Sequence, residues 1–147
     1  MRAWVHLLRA HAAITRQFNS ELVHAHGLTL NDYEVLLHLS RAPEGRLRRV
    51  DLAERILLTA SGITRLLDGL ERLGYVERGQ CPGDGRVTYA VLTEAGYEKL
   101  CEASPTHLES IRGLFGDRFA DDELETLARL LERLPEAGEA ASCGVDR

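Results

Sequence analysis

The stretch Thr59-Ala60-Ser61-Gly62-Ile63-Thr64-Arg65-Leu66-Leu67-Asp68-Gly69-Leu70-Glu71-Arg72-Leu73-Gly74-Tyr75 decides the fold. Ile63, Leu66, Leu67, Leu70 and Leu73 recur at three- and four-residue steps, which makes one face of a helix apolar. Thr59 stands where an N-cap belongs, and Leu73-Gly74-Tyr75 ends the helix with glycine at the cap and a hydrophobe behind it. Upstream, Val50 to about Ile56 predicts a compact helix with Leu52, Ala53 and Ile56 facing inward. Two helices joined by a link this short make a helix-turn-helix. Downstream, Val76 to Cys81 and Val87 to Leu92 read as strands, with Val87, Tyr89 and Val91 alternating with Thr88 and Ala90. Between them Pro82-Gly83-Asp84-Gly85-Arg86 is dense in turn formers and suits only a hairpin tip. A helix-turn-helix followed at once by a two-stranded hairpin is a winged helix.

Outward from this centre the chain is helical. Trp4 to His26 carries Trp4, Leu7, Leu8, His11, Thr15, Phe18 and Leu22 at helical spacing, and Gly27 stops it. Thr29 caps a second helix running to about Arg41, with Leu30, Tyr33, Leu36, Leu37 and Ser40 inside. Ala42-Pro43-Glu44-Gly45 is a turn, and Arg46 to Arg49 a short connection. From Thr93 the pattern Tyr97, Leu100, Leu108, Ile111, Leu114, Phe115 predicts a long helix with a bend near Pro105. A last helix spans about Asp121 to Leu134; its acidic start suits the positive end of a helix dipole. Leu124, Leu127, Leu131 and Leu134 follow at a coiled-coil-like spacing. The Ala-, Gly- and Glu-rich residues 135–147 are expected to form a disordered tail. The expected class is mainly α with a small β component (α+β).

Composition bounds the function. With 147 residues, 44% hydrophobic and 28% charged, the chain supports one ordinary domain with a core. No apolar run approaches the roughly 20 residues of a membrane-spanning helix. Arg2, His6 and Arg9 interrupt the start of the chain, unlike a secretory signal, so the expected location is the cytoplasm. Cys81, Cys101 and Cys143 are odd in number and widely spaced, which argues against a disulfide framework or a thiolate zinc site. No His-Glu-x-x-His, EF-hand, phosphate-loop or nucleophile-elbow pattern occurs, so neither an enzyme nor a cofactor is expected. The net charge of −5 is unevenly spread. Between Arg41 and Arg86 nine arginines stand against seven acids, leaving the rest of the chain strongly acidic. A basic middle on an acidic scaffold fits a module that reads nucleic acid.

The chemistry sits at two places. Ser61, Thr64 and Arg65 occupy the first two turns of the second helix of the helix-turn-helix, the part that reaches base edges in a major groove. Gly62 permits close approach to the duplex. At the hairpin tip, Asp84 and Arg86 are two apart and project on one side of the ribbon, so the acid can orient the guanidinium towards a minor groove. Arg49 and Thr59 complete the candidate contact set for double-stranded DNA. The plainer reading is an ordinary solvated helix face and a turn-forming Asp beside a surface Arg.

The run Asp51-Leu52-Ala53-Glu54, the recognition stretch through Tyr75-Val76-Glu77-Arg78, Asp84-Gly85-Arg86 and Leu92-Thr93-Glu94-Ala95-Gly96 together resemble the MarR family of bacterial regulators over about residues 4 to 134. The resemblance implies a homodimer, with residues 1–28 and 93–134 as helical dimerisation region and 29–92 as DNA-binding region. It implies pseudo-palindromic operators, half-sites about one helical turn apart, and release by small, commonly aromatic or phenolic, ligands. Gly85 stands where the family commonly has a second charged residue, which lowers phosphate attraction at the tip.

A ligand pocket in that family lies between the dimer helices and the DNA-binding lobe; here His11, Arg16, Tyr33 and His38 are its candidates, offering a cation or donor beside an apolar wall. His11 also fits a core or dimer histidine, and Tyr33 simple packing. Two competing readings stand beside a ligand-released repressor. One is a winged helix that binds protein; the other is a thiol-responsive repressor using Cys81, which has no adjoining Lys or His to activate it.

Overall fold

The structure, a computed structural model, describes the backbone of residues 1–81 and 84–134, and the side chains of all of these save 80, 81 and 84–86. Capping chemistry sets the helix boundaries. Helix α1 (Arg2–His26) ends where Gly27 adopts φ 69° and donates its N–H to the Val23 carbonyl at 3.0 Å. Helix α2 (Leu30–Arg41) opens with a reciprocal box: Asp32 N–H donates to Thr29 Oγ1 at 3.1 Å, and Thr29 N–H to Asp32 Oδ2 at 2.8 Å. Helix α3 (Arg49–Arg55) and helix α4 (Ala60–Arg72) are joined by a tight turn in which Leu57 takes φ 55°. Helix α5 (Glu94–Gly116) is one helix of 23 residues running through Pro105, where the sequence predicts a bend. Helix α6 (Asp121–Leu131) ends three residues short of the predicted Leu134, with Glu123 accepting from the Ala120 N–H at 2.9 Å.

The sheet is larger than the two strands expected. Arg46–Arg48, anticipated as a connection, is a strand β1. It pairs antiparallel with the outgoing wing strand β3 (Asp84–Leu92), Leu47 opposite Ala90. Strand β2 (Val76–Cys81) lies on the other side of β3, giving the order β1-β3-β2. Strand β3 begins at Asp84 rather than Val87, so Asp84, Gly85 and Arg86 have strand backbone and are not the hairpin tip; Pro82 and Gly83 lie outside the described residues. The inward residue of β3 is Ala90, at 2% exposure, while Tyr89 and Val91 are half-buried. A small side chain faces the core there because Leu47 fills the layer from β1.

The core lies where the helix-turn-helix meets the sheet and the inner halves of α1 and α5. Leu22, Leu28, Val35, Leu36, Leu39, Leu52 and Leu70 are fully buried, joined by Ile63, Leu67, Val76 and Leu100. Leu73, predicted on the inner face of α4, is exposed because it sits at the cap where the helix has already ended. One threonine fastens the exit of α4 to the start of α5. Thr93 Oγ1 donates to the Gly74 carbonyl at 2.7 Å and accepts from the Gly96 N–H at 3.0 Å, while Thr93 N–H donates to the Tyr75 carbonyl at 3.2 Å. Gly96 is required there: a Cβ would lie 2.1 Å from the Tyr75 carbonyl oxygen.

At the other end of α1, His26 ties it to α5, with Nδ1 3.2 Å from Glu102 Oε1 and Nε2 2.8 Å from Thr106 Oγ1. The outer reaches of these elements are uncovered. Trp4, Leu7 and Leu8 on α1, Leu108 on α5, and Leu130, Leu131 and Leu134 at the end of the described chain are all exposed. The tail expected over 135–147, Cys143 included, lies outside the described residues.

Candidate nucleic-acid interface

Helix α4 is built to bury one side and offer the other. Ile63, Leu67 and Leu70 go into the core, which leaves Ser61 and Arg65 exposed and Thr64 half-exposed on the opposite arc. Thr59 is the N-cap: its Oγ1 accepts from the Gly62 N–H at 3.1 Å and lies 3.2 Å from Ser61 Oγ. A Cβ at Gly62 would meet that same hydroxyl at 3.2 Å, so the glycine also leaves room for the cap. Arg65 Nε donates back to the Ser61 carbonyl at 3.4 Å, a long bond that leaves the rest of the guanidinium to solvent. Thr64 Oγ1 donates to the Ala60 carbonyl at 2.7 Å and accepts from Arg49 Nη2. The structure therefore gathers Arg49, Thr59, Ser61, Gly62, Thr64 and Arg65 around the first two turns of α4.

Arg78, which the sequence reading did not single out as a site residue, braces this helix from β2. Its Nε lies 2.7 and 3.0 Å from the Glu71 carboxylate oxygens and its Nη2 2.6 Å from Asp68 Oδ1. One strand residue thus pairs with both acids on the flank of α4 and offsets one of their two charges, while Arg65 forms no ion pair with a described carboxylate. Their spacing to Arg78 in the sequence gives no hint of this, because the chain must first reverse at Gly74. Arg48, the last residue of β1, pairs with Asp51 of α3 at 2.7 and 2.8 Å and holds that carboxyl below its ordinary range. A cleft of about 510 Å³ opens between α3, α4 and β3, lined by Arg48, Arg49, Val50, Ile63, Thr64 and Thr88 among others. The side chains of Asp84, Arg86 and Cys81 lie outside the described ones; only their strand backbone is placed.

The four residues grouped as a ligand pocket are not assembled within the chain. His11 and Arg16 are exposed on α1 and five positions apart; Tyr33 and His38 on α2 are likewise five apart but not exposed. Five positions turn a helix by about 140°, so the members of each pair face different ways. His38 is half-buried, and its pKa is lowered by burial first and then by Arg55 and Arg41. Tyr33 is buried, its hydroxyl 3.3 Å from Ser104 Oγ and its ring 4.7 Å from that of His107.

His107 also meets Phe18 edge-on at 5.2 Å, so an aromatic cluster fills the junction of α1, α2 and α5. Burial pushes the His107 imidazole below its usual value, opposed by Glu21. Glu21 itself is held low by hydrogen bonds from Ser110 and Gln17. His107 Nδ1 and Glu21 Oε2 are buried without a partner among the described residues. The sequence carried a signal for His107, which lies four and seven positions after the buried Ala103 and Leu100. Cys101 is exposed on α5. Among the described residues no group of His, Cys, Asp and Glu could hold a metal ion, and no helix is long and apolar enough to cross a membrane.

Comparison with known proteins places these features. A model described as the MarR family matches residues 26–87. The HTH-type transcriptional repressor YetL of Bacillus subtilis is 31% identical over 121 residues, 80% of this chain and 72% of that protein. Among solved structures, AbsC, a MarR family transcriptional regulator from Streptomyces coelicolor, superposes with a TM-score of 0.81 at 35% identity, covering 88% of this chain and 87% of that one. Sco3205, a MarR family regulator from the same organism solved in complex with DNA, gives a TM-score of 0.82 at 28% identity, covering 88% and 81%.

Proposed function

The chain belongs to the MarR family and is a DNA-binding transcriptional regulator, and from that premise we propose that it works as a homodimeric repressor of pseudo-palindromic operators, released by a small aromatic or phenolic ligand. In this reading residues 29–92 bind DNA, while 1–28 and 93–134 pair two copies. Helix α4 enters the major groove with Ser61, Thr64 and Arg65 foremost, supported by Arg49, Thr59 and Gly62. Arg86, oriented by Asp84, reaches the adjacent minor groove.

The observation that carries the proposal is the uncovered apolar surface of the outer helices. Trp4 at 59%, Leu8 at 48% and Leu130 at 50% exposure leave large side chains in water where no other described residue covers them. Soluble monomers seldom leave such contiguous apolar surface open, and a second copy would cover it. Pairing also duplicates α4, as a two-fold operator requires. Supporting the ligand half is the cluster of Phe18, Tyr33 and His107 where the outer helices meet the lobe, beside two buried polar atoms without partners. Of the four ligand candidates, Tyr33 alone belongs to it.

The test combines light scattering with duplex binding. The chain is expected to be dimeric in solution, to bind recovered genomic fragments as two copies per site, and to lose affinity steeply as salt rises. A panel of aromatic acids is expected to weaken that binding. A monomer both alone and on DNA would overturn the homodimer, and affinity indifferent to every ligand would overturn ligand release.

A further inference from the structure

The cleft between α3, α4 and β3 holds two guanidinium groups of different status. That of Arg48 is paired with the Asp51 carboxylate through two bonds, at 2.7 and 2.8 Å. Arg49 has no ion pair with a described carboxylate; one of its N–H groups donates to Thr64 Oγ1, and its Nε is buried with no partner among the described residues. Thr64 is committed in turn. Its one hydroxyl proton goes to the Ala60 carbonyl at 2.7 Å and a lone pair takes the Arg49 bond. A hydroxyl so placed has no proton left to give a base edge, so Thr64 backs Arg49 instead of reading a base itself; the Glu54 carboxylate lines the same cleft but makes no ion pair with Arg49, whose unused donors can receive an anion.

We propose that Thr64 is a positioning residue that holds Arg49, and that Arg49 grips the phosphate backbone where it crosses the cleft between α4 and the wing. This rests on the reading of α4 in a major groove and the wing in the neighbouring minor groove. Those two grooves are separated by one backbone strand, and that strand must pass the opening lined by Arg49, Thr64 and Thr88. The phosphate supplies the charge that Arg49 lacks. Thr64 fixes the guanidinium against the recognition helix so that register is set by a contact indifferent to sequence.

The test is duplex binding against salt for the parent, R49Q, T64S, T64V and R49Q/T64V, on an operator and on its single-base variants. R49Q is expected to reduce the slope of log affinity against log salt by about 0.9 per half-site, equally on every sequence. T64V should reproduce R49Q, T64S should match the parent, and the double variant should lose no more than R49Q alone. The inference is overturned if T64V reorders the base preferences while keeping the parent slope, or if R49Q and T64V add. It is also overturned if R49Q keeps the parent slope while the parent binds well, and in that case the DNA-binding reading survives. A parent that binds no duplex at low salt sinks both.

Discussion

Replacing Gly96 by Ala tests the joint between the recognition helix and α5. The new Cβ would sit 2.1 Å from the Tyr75 carbonyl oxygen and 2.9 Å from its carbon, so α5 must retreat from the strand that follows α4. That retreat strains the Thr93 bonds to the Gly74 and Tyr75 carbonyls, now 2.7 and 3.2 Å. Losing two such bonds costs about 2 kcal/mol. Overpacking adds about 1–3 kcal/mol, and the better helix propensity of Ala returns about 1 kcal/mol. The net destabilisation is about 2–4 kcal/mol, or a fall in Tm of about 4–16 °C at this chain length. Gly69→Ala is the matched control, because its Cβ would approach nothing closer than Arg72 Nη2 at 4.0 Å; a gain of about 0.5–1 kcal/mol is expected. Urea unfolding followed by circular dichroism, at one fixed protein concentration, measures both. If Gly96→Ala raised the midpoint as Gly69→Ala does, the account of this joint would be refuted.

Arg65→Ala is expected to cost about 1–3 kcal/mol of operator affinity and to relax preference at one base position, as competition with base-substituted duplexes would read. Thr29→Ala breaks the box that opens α2 and should cost about 1 kcal/mol in the same unfolding assay. His38 and His107 are both held below the ordinary imidazole value, first by burial, so the unfolded chain takes up protons before the folded one. Stability from this source is fully present above about pH 6.5 and declines as pH falls further. The urea midpoint should drop in that direction, and the pair H38N/H107N should flatten the drop; an unchanged slope would contradict the burial argument.

The winged helix is legible in the sequence because its signals are local. The caps at Thr29 and Thr59, the stop at Gly27 and the inward stripe of Ile63, Leu67 and Leu70 each sit within a few residues of what they determine. Strand β1 escaped because Arg46-Leu47-Arg48 is too short for a period to register, and its conformation is set by pairing with β3 some forty positions away. Periodicity marked Trp4 to Leu22 as one apolar face, yet among the described residues Phe18 and Leu22 alone are buried on it, since spacing shows which residues share a face and not what covers it. The outward arc of α4, with Ser61, Thr64 and Arg65, was readable from its period. Its internal wiring was not: Arg49 meets Thr64, and Arg78 meets Asp68 and Glu71, only after α3, α4 and β2 have crossed. Within each helix the ligand candidates face different ways.

The attachment of α1 to α2 and α5 between Phe18 and His26 makes the exposed remainder of α1 a lever with its fulcrum at the aromatic cluster. From Phe18 back to Trp4 the helix extends about 21 Å. A tilt of about 5° at the fulcrum therefore sweeps the Trp4 end through about 2 Å, and a displacement imposed at that far end arrives at the cluster scaled down and converted to rotation.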